Sequence, residues 1–169
     1  VSSEQFKKAV DDLTAQGMEK LIVDLRNNGG GVVQAAKEIA DYLLPDGKTI
    51  VSFKGKGIDD STYSSDDGHK VDVPIILLVN GESASASEVL TGALKDNAWA
   101  TIVGEKTFGK GIAQGIFNLP DGSGLKLTTA YYYTPSGECI HKLGIKQEVN
   151  VALEEDLKSK IENTKEEEN

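Results

Sequence analysis

Apolar positions recur along this chain at two periods, and the alternation between them predicts its elements. Phe6, Val10 and Leu13 stand at helical spacing within residues 4–16, with Gly17 placed to stop the helix. Residues 21–25, LIVDL, make a short apolar run suited to a buried strand. The glycine-rich RNNGGG at 26–31 then turns the chain into a second helical pattern at 32–44, ended by Pro45-Asp46-Gly47. A strand follows at 49–54. Residues 55–72 are polar and rich in Gly, Ser and Asp, and read as a flexible loop, either a functional flap or a disordered excursion. The most apolar segment, VPIILLV at 73–79, predicts a central strand, with Pro74 tolerable near its start. A helix at 85–94 and a strand at 99–103 come next. Residues 112–119 and 125–133 form a hairpin around Pro120-Asp121-Gly122-Ser123-Gly124, and Thr134 to Gly137 a further turn. A weak helix at 151–161 closes the order, which predicts a layered α/β domain with a mixed sheet and flanking helices.

Length adds that all of residues 1–169 belong to one domain with room for a sizeable core. With 18 Lys and Arg against 27 Asp and Glu, the net charge of -9 speaks against a nucleic-acid partner or an anionic membrane surface. Part of that acidity sits in residues 160–169, KIENTKEEEN, a solubilising tail. Cys139 is the sole cysteine, which excludes an internal disulfide and leaves the redox compartment open. No apolar run approaches the roughly 20 residues that span a bilayer.

Chemistry concentrates in three glycine- and serine-rich connections. The first, GESASASE at 81–88, lies between the most apolar strand and a helix. A hydroxyl at Ser85 would sit at the first helical turn, where outward-pointing N–H groups can stabilise an oxyanion. The same letters form a capping box, Ser85-x-x-Glu88, in which the serine merely closes the helix. A base is needed to choose between these readings. His69 and His141, the only histidines, stand in polar or turn segments, and with one cysteine they make a poor zinc set. Lys110, flanked by glycines in TFGKGIAQ at 107–114, is the alternative base, provided that burial or a neighbouring cation favours its neutral form. Gln114, on the same face of an extended segment, would orient the amine. Lys110 reads equally well as a surface lysine in a flexible loop. GEKTFGK at 104–110 also satisfies most of a phosphate-binding loop, but Gly111 lacks the hydroxyl for magnesium and a strand follows where a helix should begin. The third connection, Asn27 to Gly31, lets backbone donors approach a reacting carbonyl, with Asn28 tolerant of unusual dihedrals; it is also an ordinary tight turn. Asp24 and Arg26 pair beside it, as a brace or as a plain strand-end ion pair.

Four stretches together resemble the C-terminal processing peptidases, or tail-specific proteases: LIVDLRNNGGG at 21–31, LLVNGESASASEVLTGALKDN at 77–97, VGEKTFGKGIAQ at 103–114 and YYYTPSGECI at 131–140. The resemblance implies Ser85 as nucleophile, rather than Ser83 or Ser87, with Lys110 as general base and Gln114 holding it. It further implies Glu88 as a supporting site residue and an oxyanion hole from Ala86 N–H and an amide of Gly29, Gly30 or Gly31. It implies a fold related to Clp protease and crotonase and hydrolysis without metal or nucleotide. The substrates implied are polypeptides with exposed C-terminal tails, in an extracytoplasmic compartment such as the periplasm, cell envelope or thylakoid lumen. A peptide-binding PDZ domain is expected ahead of this core in the full-length protein. The chain departs from the family pattern at Gly29, where proline is usual, and at Lys146-Gln147-Glu148, where the pattern reads x-P-D. The competing reading is a catalytically unassembled peptide-binding or scaffold fragment.

Overall fold

A computed structural model describes residues 2–56, 59–66, 71–152, 154 and 157. Its elements run α1 (Ser2–Ala15), β1 (Leu21–Asp24), α2 (Val33–Leu43), β2 (Thr49–Lys54), β3 (Ser61–Ser64), β4 (Ile75–Val79), α3 (Ala86–Asp96), β5 (Thr101–Gly104), β6 (Ile112–Asn118), β7 (Gly124–Tyr133) and β8 (Val149–Asn150). The α/β class holds, but the expected single mixed sheet is two sheets. One, ordered β1-β4-β5-β8, is parallel throughout; the other, β3-β2-β7-β6, is antiparallel throughout.

β4 is interior to the parallel sheet, paired with β1 through Leu21↔Ile75 and with β5 through Ile76↔Thr101. A strand covered on both faces reads as a continuous apolar run, which is why IILLV stands out in the sequence. Leu77 and Val79 are fully buried. α3 touches both sheets, through β2 and through β5, and packs against α2. Accordingly it is buried from Ala86 to Leu94 rather than along one stripe. Its small residues make this possible: a Cβ on Gly92 would lie 3.0 Å from Thr134 Cγ2. The polar Thr91 is satisfied by donating to Ser87 O at 2.7 Å.

The polar stretch 55–72 is not structureless, because β3 lies within it and pairs antiparallel with β2. All four β3 residues are exposed, so no alternation marks the strand in the sequence. His69, the tail 160–169 and most of the weak helix at 151–161 lie outside the described residues. The hairpin β6–β7 is present, with Ile116 73% exposed and Phe117 49% exposed.

Candidate active site

β1, β4 and β5 are adjacent and parallel, so their carboxyl ends lie side by side, where ligands bind in open parallel sheets. Each runs into one of the three connections singled out above. The first two interlock. Asn80, just after β4, accepts the Asn27 N–H on Oδ1 at 3.0 Å and donates from Nδ2 to Asn27 Oδ1 at 2.9 Å. Ala84 N–H donates to Asn28 O at 3.0 Å. Ser83, fully buried, donates to Leu25 O at 2.7 Å and accepts Asn80 N–H at 3.0 Å. The non-glycine residue of the glycine loop with a positive φ is Asn27, φ 59°, rather than Asn28. Gly30, φ +89°, is required for a close approach: a Cβ there would lie 2.5 Å from Ala84 O and 2.7 Å from Ala86 N.

The two loops meet at Ser85, whose backbone sits at φ 58°, ψ -116°. A helix-capping serine takes up extended angles, whereas a positive φ at a non-glycine residue is a strained geometry that concentrates at functional sites. The Ser85 N–H donates to Glu88 Oε2 at 2.9 Å, which is the glutamate half of the capping box. Glu88 does more than cap. Fully buried, it also accepts Lys110 N–H on Oε2 at 2.8 Å, and Gly109 N–H at 2.7 Å and Thr107 Oγ1–H at 2.6 Å on Oε1. One carboxylate oxygen therefore holds the main chain of both Ser85 and Lys110. Thr107 in turn accepts Ile145 N–H at 2.7 Å, which fastens residues 140–145 behind the site.

The side chains are less assembled than the backbone. Lys110 and Gln114 are both exposed, and among the described residues neither the ammonium nor the amide has a hydrogen-bond partner. The apolar enclosure expected around Lys110 is not supplied by the described residues; Phe108 is itself 61% exposed. Ala86 is the first residue of α3, where a helical N–H lacks an intrahelical acceptor. The Gly30 N–H is committed to Asn28 Oδ1 at 3.0 Å, while Gly29 and Gly31 are exposed.

Other candidates fall away from this centre. Arg26 donates to Asp24 from Nε and from Nη2, at 2.7 Å for the latter, and these hydrogen bonds hold the Asp24 carboxyl below the usual aspartate range. The pair is about half exposed and spans only two residues, so it is a strand-end pair. His141 packs its ring 5.4 Å from Tyr131, with Nδ1 buried and unpartnered among the described residues. β6 follows the GEKTFGK loop, so no helix N-terminus is offered to a phosphate there. Sequence reasoning missed Thr107, Asn80 and Ser83. Their signal was weak but present, because a small polar residue in a tight apolar connection must satisfy its own hydroxyl or amide.

Comparison with known proteins bears on the chain as a whole. The model of "Peptidase family S41" matches residues 1–151. A carboxyl-terminal-processing protease of Picosynechococcus sp. is 47% identical over 138 residues, covering 82% of this chain and 33% of the relative. A chloroplastic C-terminal processing peptidase of Tetradesmus obliquus is 44% identical over 147 residues, 86% of this chain and 31% of the relative. Among solved structures, a photosystem II D1 C-terminal processing protease superposes with a TM-score of 0.84 at 40% identity, over 89% of this chain and 39% of that one. The chain thus spans about a third of the length of the curated relatives it matches.

Proposed function

The chain belongs to peptidase family S41, and on that footing we propose that it is the catalytic core of a serine endopeptidase that cuts polypeptides near their C-termini through Ser85 and Lys110. One observation carries the reading: a single buried carboxylate oxygen of Glu88 binds the main chain of both residues, with Ser85 strained at the start of a buried helix.

In the proposed reaction Lys110 Nζ, as free amine, takes the Ser85 proton while Oγ attacks the peptide carbonyl. The tetrahedral oxyanion is held by Ala86 N–H and by an amide of the glycine loop. Because Gly30 N–H is held by Asn28, the second donor is Gly29 or Gly31 unless Asn28 turns away. Lys110 returns the proton to the departing amine as the C–N bond breaks, leaving an acyl-enzyme. It then takes a proton from the water that attacks that ester and gives it to Ser85 Oγ as the acyl–oxygen bond breaks, which frees the acid product and restores the dyad. Gln114 orients the amine once substrate or neighbouring structure brings Lys110 inward, and Glu88 positions both backbones. The chemistry calls on no metal or nucleotide.

The parent polypeptide is proposed to work in an extracytoplasmic compartment, with a PDZ domain in the part of its relatives that this chain does not cover. Kinship with the Clp protease and crotonase fold is supported by the two strand–turn–helix units, β1–α2 and β4–α3, whose turns meet at Ser85. The second reading, an unassembled peptide-binding fragment, is favoured by the exposure of Lys110 and Gln114. The deciding experiment incubates an unstructured polypeptide bearing an apolar C-terminal tail with this chain, Ser85→Ala and Lys110→Ala, followed by intact-mass spectrometry. Products from the unmodified chain alone support the dyad. Products from all three sink it.

A further inference from the structure

Asn27 and Asn80 stand 53 residues apart in sequence, and their side chains close a bridge between the glycine loop and the serine turn. Asn80 Oδ1 accepts Asn27 N–H at 3.0 Å and Glu82 N–H at 3.1 Å, while Asn80 Nδ2 donates to Asn27 Oδ1 at 2.9 Å. Backbone N–H groups can only donate, so the two bonds to Oδ1 fix which end of the Asn80 amide faces Asn27 Oδ1. Resting on the peptidase reading, we propose that Asn80 is a positioning residue: by holding Asn27, it sets the glycine-loop amide that completes the oxyanion hole at its working distance from Ser85.

Three features argue for this role. First, the bridge stands where the strands no longer need it. β1 and β4 are paired as far as Asp24↔Leu78, Leu25 N–H continues the ladder to Leu78 O at 2.8 Å, and the buried Ser83 hydroxyl ties Leu25 O at 2.7 Å. Asn27 is exposed and Asn80 half-buried, so their hydrogen bonds add little to stability. Second, the bridge anchors one end of a segment that has few other holds. Asn27 keeps a positive φ of 59°, and residues 29–31 are all glycine, with no side chain to fix them. Beyond Asn27 the loop runs along the serine turn, through Ala84 N–H to Asn28 O at 3.0 Å and then Gly30, where a Cβ would lie 3.0 Å from Ser85 Cβ. A shift at Asn27 is therefore passed directly to the amides beside Ser85. Third, chemistry feels such a shift far more than folding does. A misplacement of about 1 Å can cost about 100-fold in rate, and loss of one oxyanion donor costs at least about as much.

The test compares this chain with Asn80→Ala, Asn80→Asp and Asn27→Gly on an unstructured polypeptide with an apolar C-terminal tail, reading kcat, KM and the urea midpoint. Asn80→Ala removes the whole bridge. Its kcat falls about 100-fold while KM moves less than about threefold, as for an interaction made only in the transition state. Its urea midpoint falls by no more than about 1 M. Asn80→Asp brings kcat back to within about fivefold, because one carboxylate oxygen keeps the two backbone N–H groups and the other accepts from the Asn27 amide once that amide turns over. Asn27→Gly tolerates the positive φ, loses only the side-chain arm and lowers kcat about tenfold, and it keeps the test valid if Asn80→Ala fails to fold. Unchanged kcat in the variants that fold, or a loss that Asn80→Asp does not restore, overturns the positioning role and leaves the peptidase reading intact. If the unmodified chain cleaves nothing, the amide ¹⁵N order parameters of Gly29, Gly30 and Gly31 decide. A drop in Asn80→Ala that Asn80→Asp reverses supports the bridge though the peptidase reading fails; no drop overturns it.

Discussion

Replacing Glu88 by Gln keeps the side chain's shape and removes one acceptor atom, and the geometry determines which donor loses. Oε1 serves the Thr107 hydroxyl and Gly109 N–H; Oε2 serves Ser85 N–H and Lys110 N–H. An NH₂ in the Oε2 position would face two N–H donors. In the Oε1 position it faces one, plus a hydroxyl that has a lone pair to offer even while accepting Ile145 N–H. Gln therefore keeps its oxygen toward Ser85 and Lys110 and orphans the Gly109 amide. A buried unsatisfied amide costs about 1–3 kcal/mol, and each bond that loses its charge assistance about 1 more. Relief of a buried charge opposes this by up to a few kcal/mol, since no cation forms a salt bridge with Glu88 among the described residues. With four donors on the carboxylate the hydrogen bonds win, and the net expectation is a loss of about 2 kcal/mol. Glu88→Ala, which strands all four donors, loses about 5 kcal/mol and approaches the whole stability of an ordinary domain. Urea unfolding measures both, read as a shift in midpoint at constant slope. A Glu88→Gln midpoint equal to or above that of the unmodified chain would show that desolvation outweighs the four hydrogen bonds and refute the reasoning.

Thr107→Ser retains both of the threonine's hydrogen bonds and costs about 1 kcal/mol or less, whereas Thr107→Val breaks the links to Glu88 and Ile145 and costs about 3 kcal/mol; equal midpoints for the two variants would contradict this. Gly144→Ala, at φ +68° with its Cβ 2.2 Å from Thr107 O, destabilises by more than about 3 kcal/mol and disturbs the same network, measured by thermal unfolding. Gly30→Ala leaves most of the fold but displaces the Ser85 turn, so any hydrolysis is lost while thermal stability falls less than for Gly144→Ala. Asp24 has its folded pKa depressed by Arg26, so its contribution is present above the unfolded aspartate pKa and fades as pH falls through the lower folded value. Asp24→Asn then lowers the melting temperature at neutral pH by about 3 °C at most, because the pair is exposed, and the difference closes in strong acid.

The parts legible in the sequence were those written in local period. IILLV announces an interior parallel strand, and the turn residues Pro120 to Gly124 announce the β6–β7 hairpin. β3 was illegible because an edge strand with four exposed residues owes its existence to pairing with β2, not to its own pattern. The division into two sheets was hidden for a related reason: whether β2 joins β4 or β7 depends on contacts distant in sequence. At the site, the serine turn, the lysine loop and the glycine loop were visible as letters, and the resemblance ordered them. Local spacing shows Glu88 only as the far end of a capping box and the resemblance adds a supporting role, but its second set of bonds to Thr107, Gly109 and Lys110 lies about twenty residues away. No periodicity reports that.

The backbone of Ser85 carries a consequence for anyone who would harden this protein. At φ 58° and ψ -116° an L side chain costs about 1–3 kcal/mol, and glycine at most about 1 kcal/mol in lost chain freedom. A laboratory selection that rewards thermal endurance alone would therefore drift toward glycine at this position, and the most heat-tolerant descendants would be those that had discarded the hydroxyl. Selection schemes for this scaffold must screen for turnover in the same round as for melting temperature.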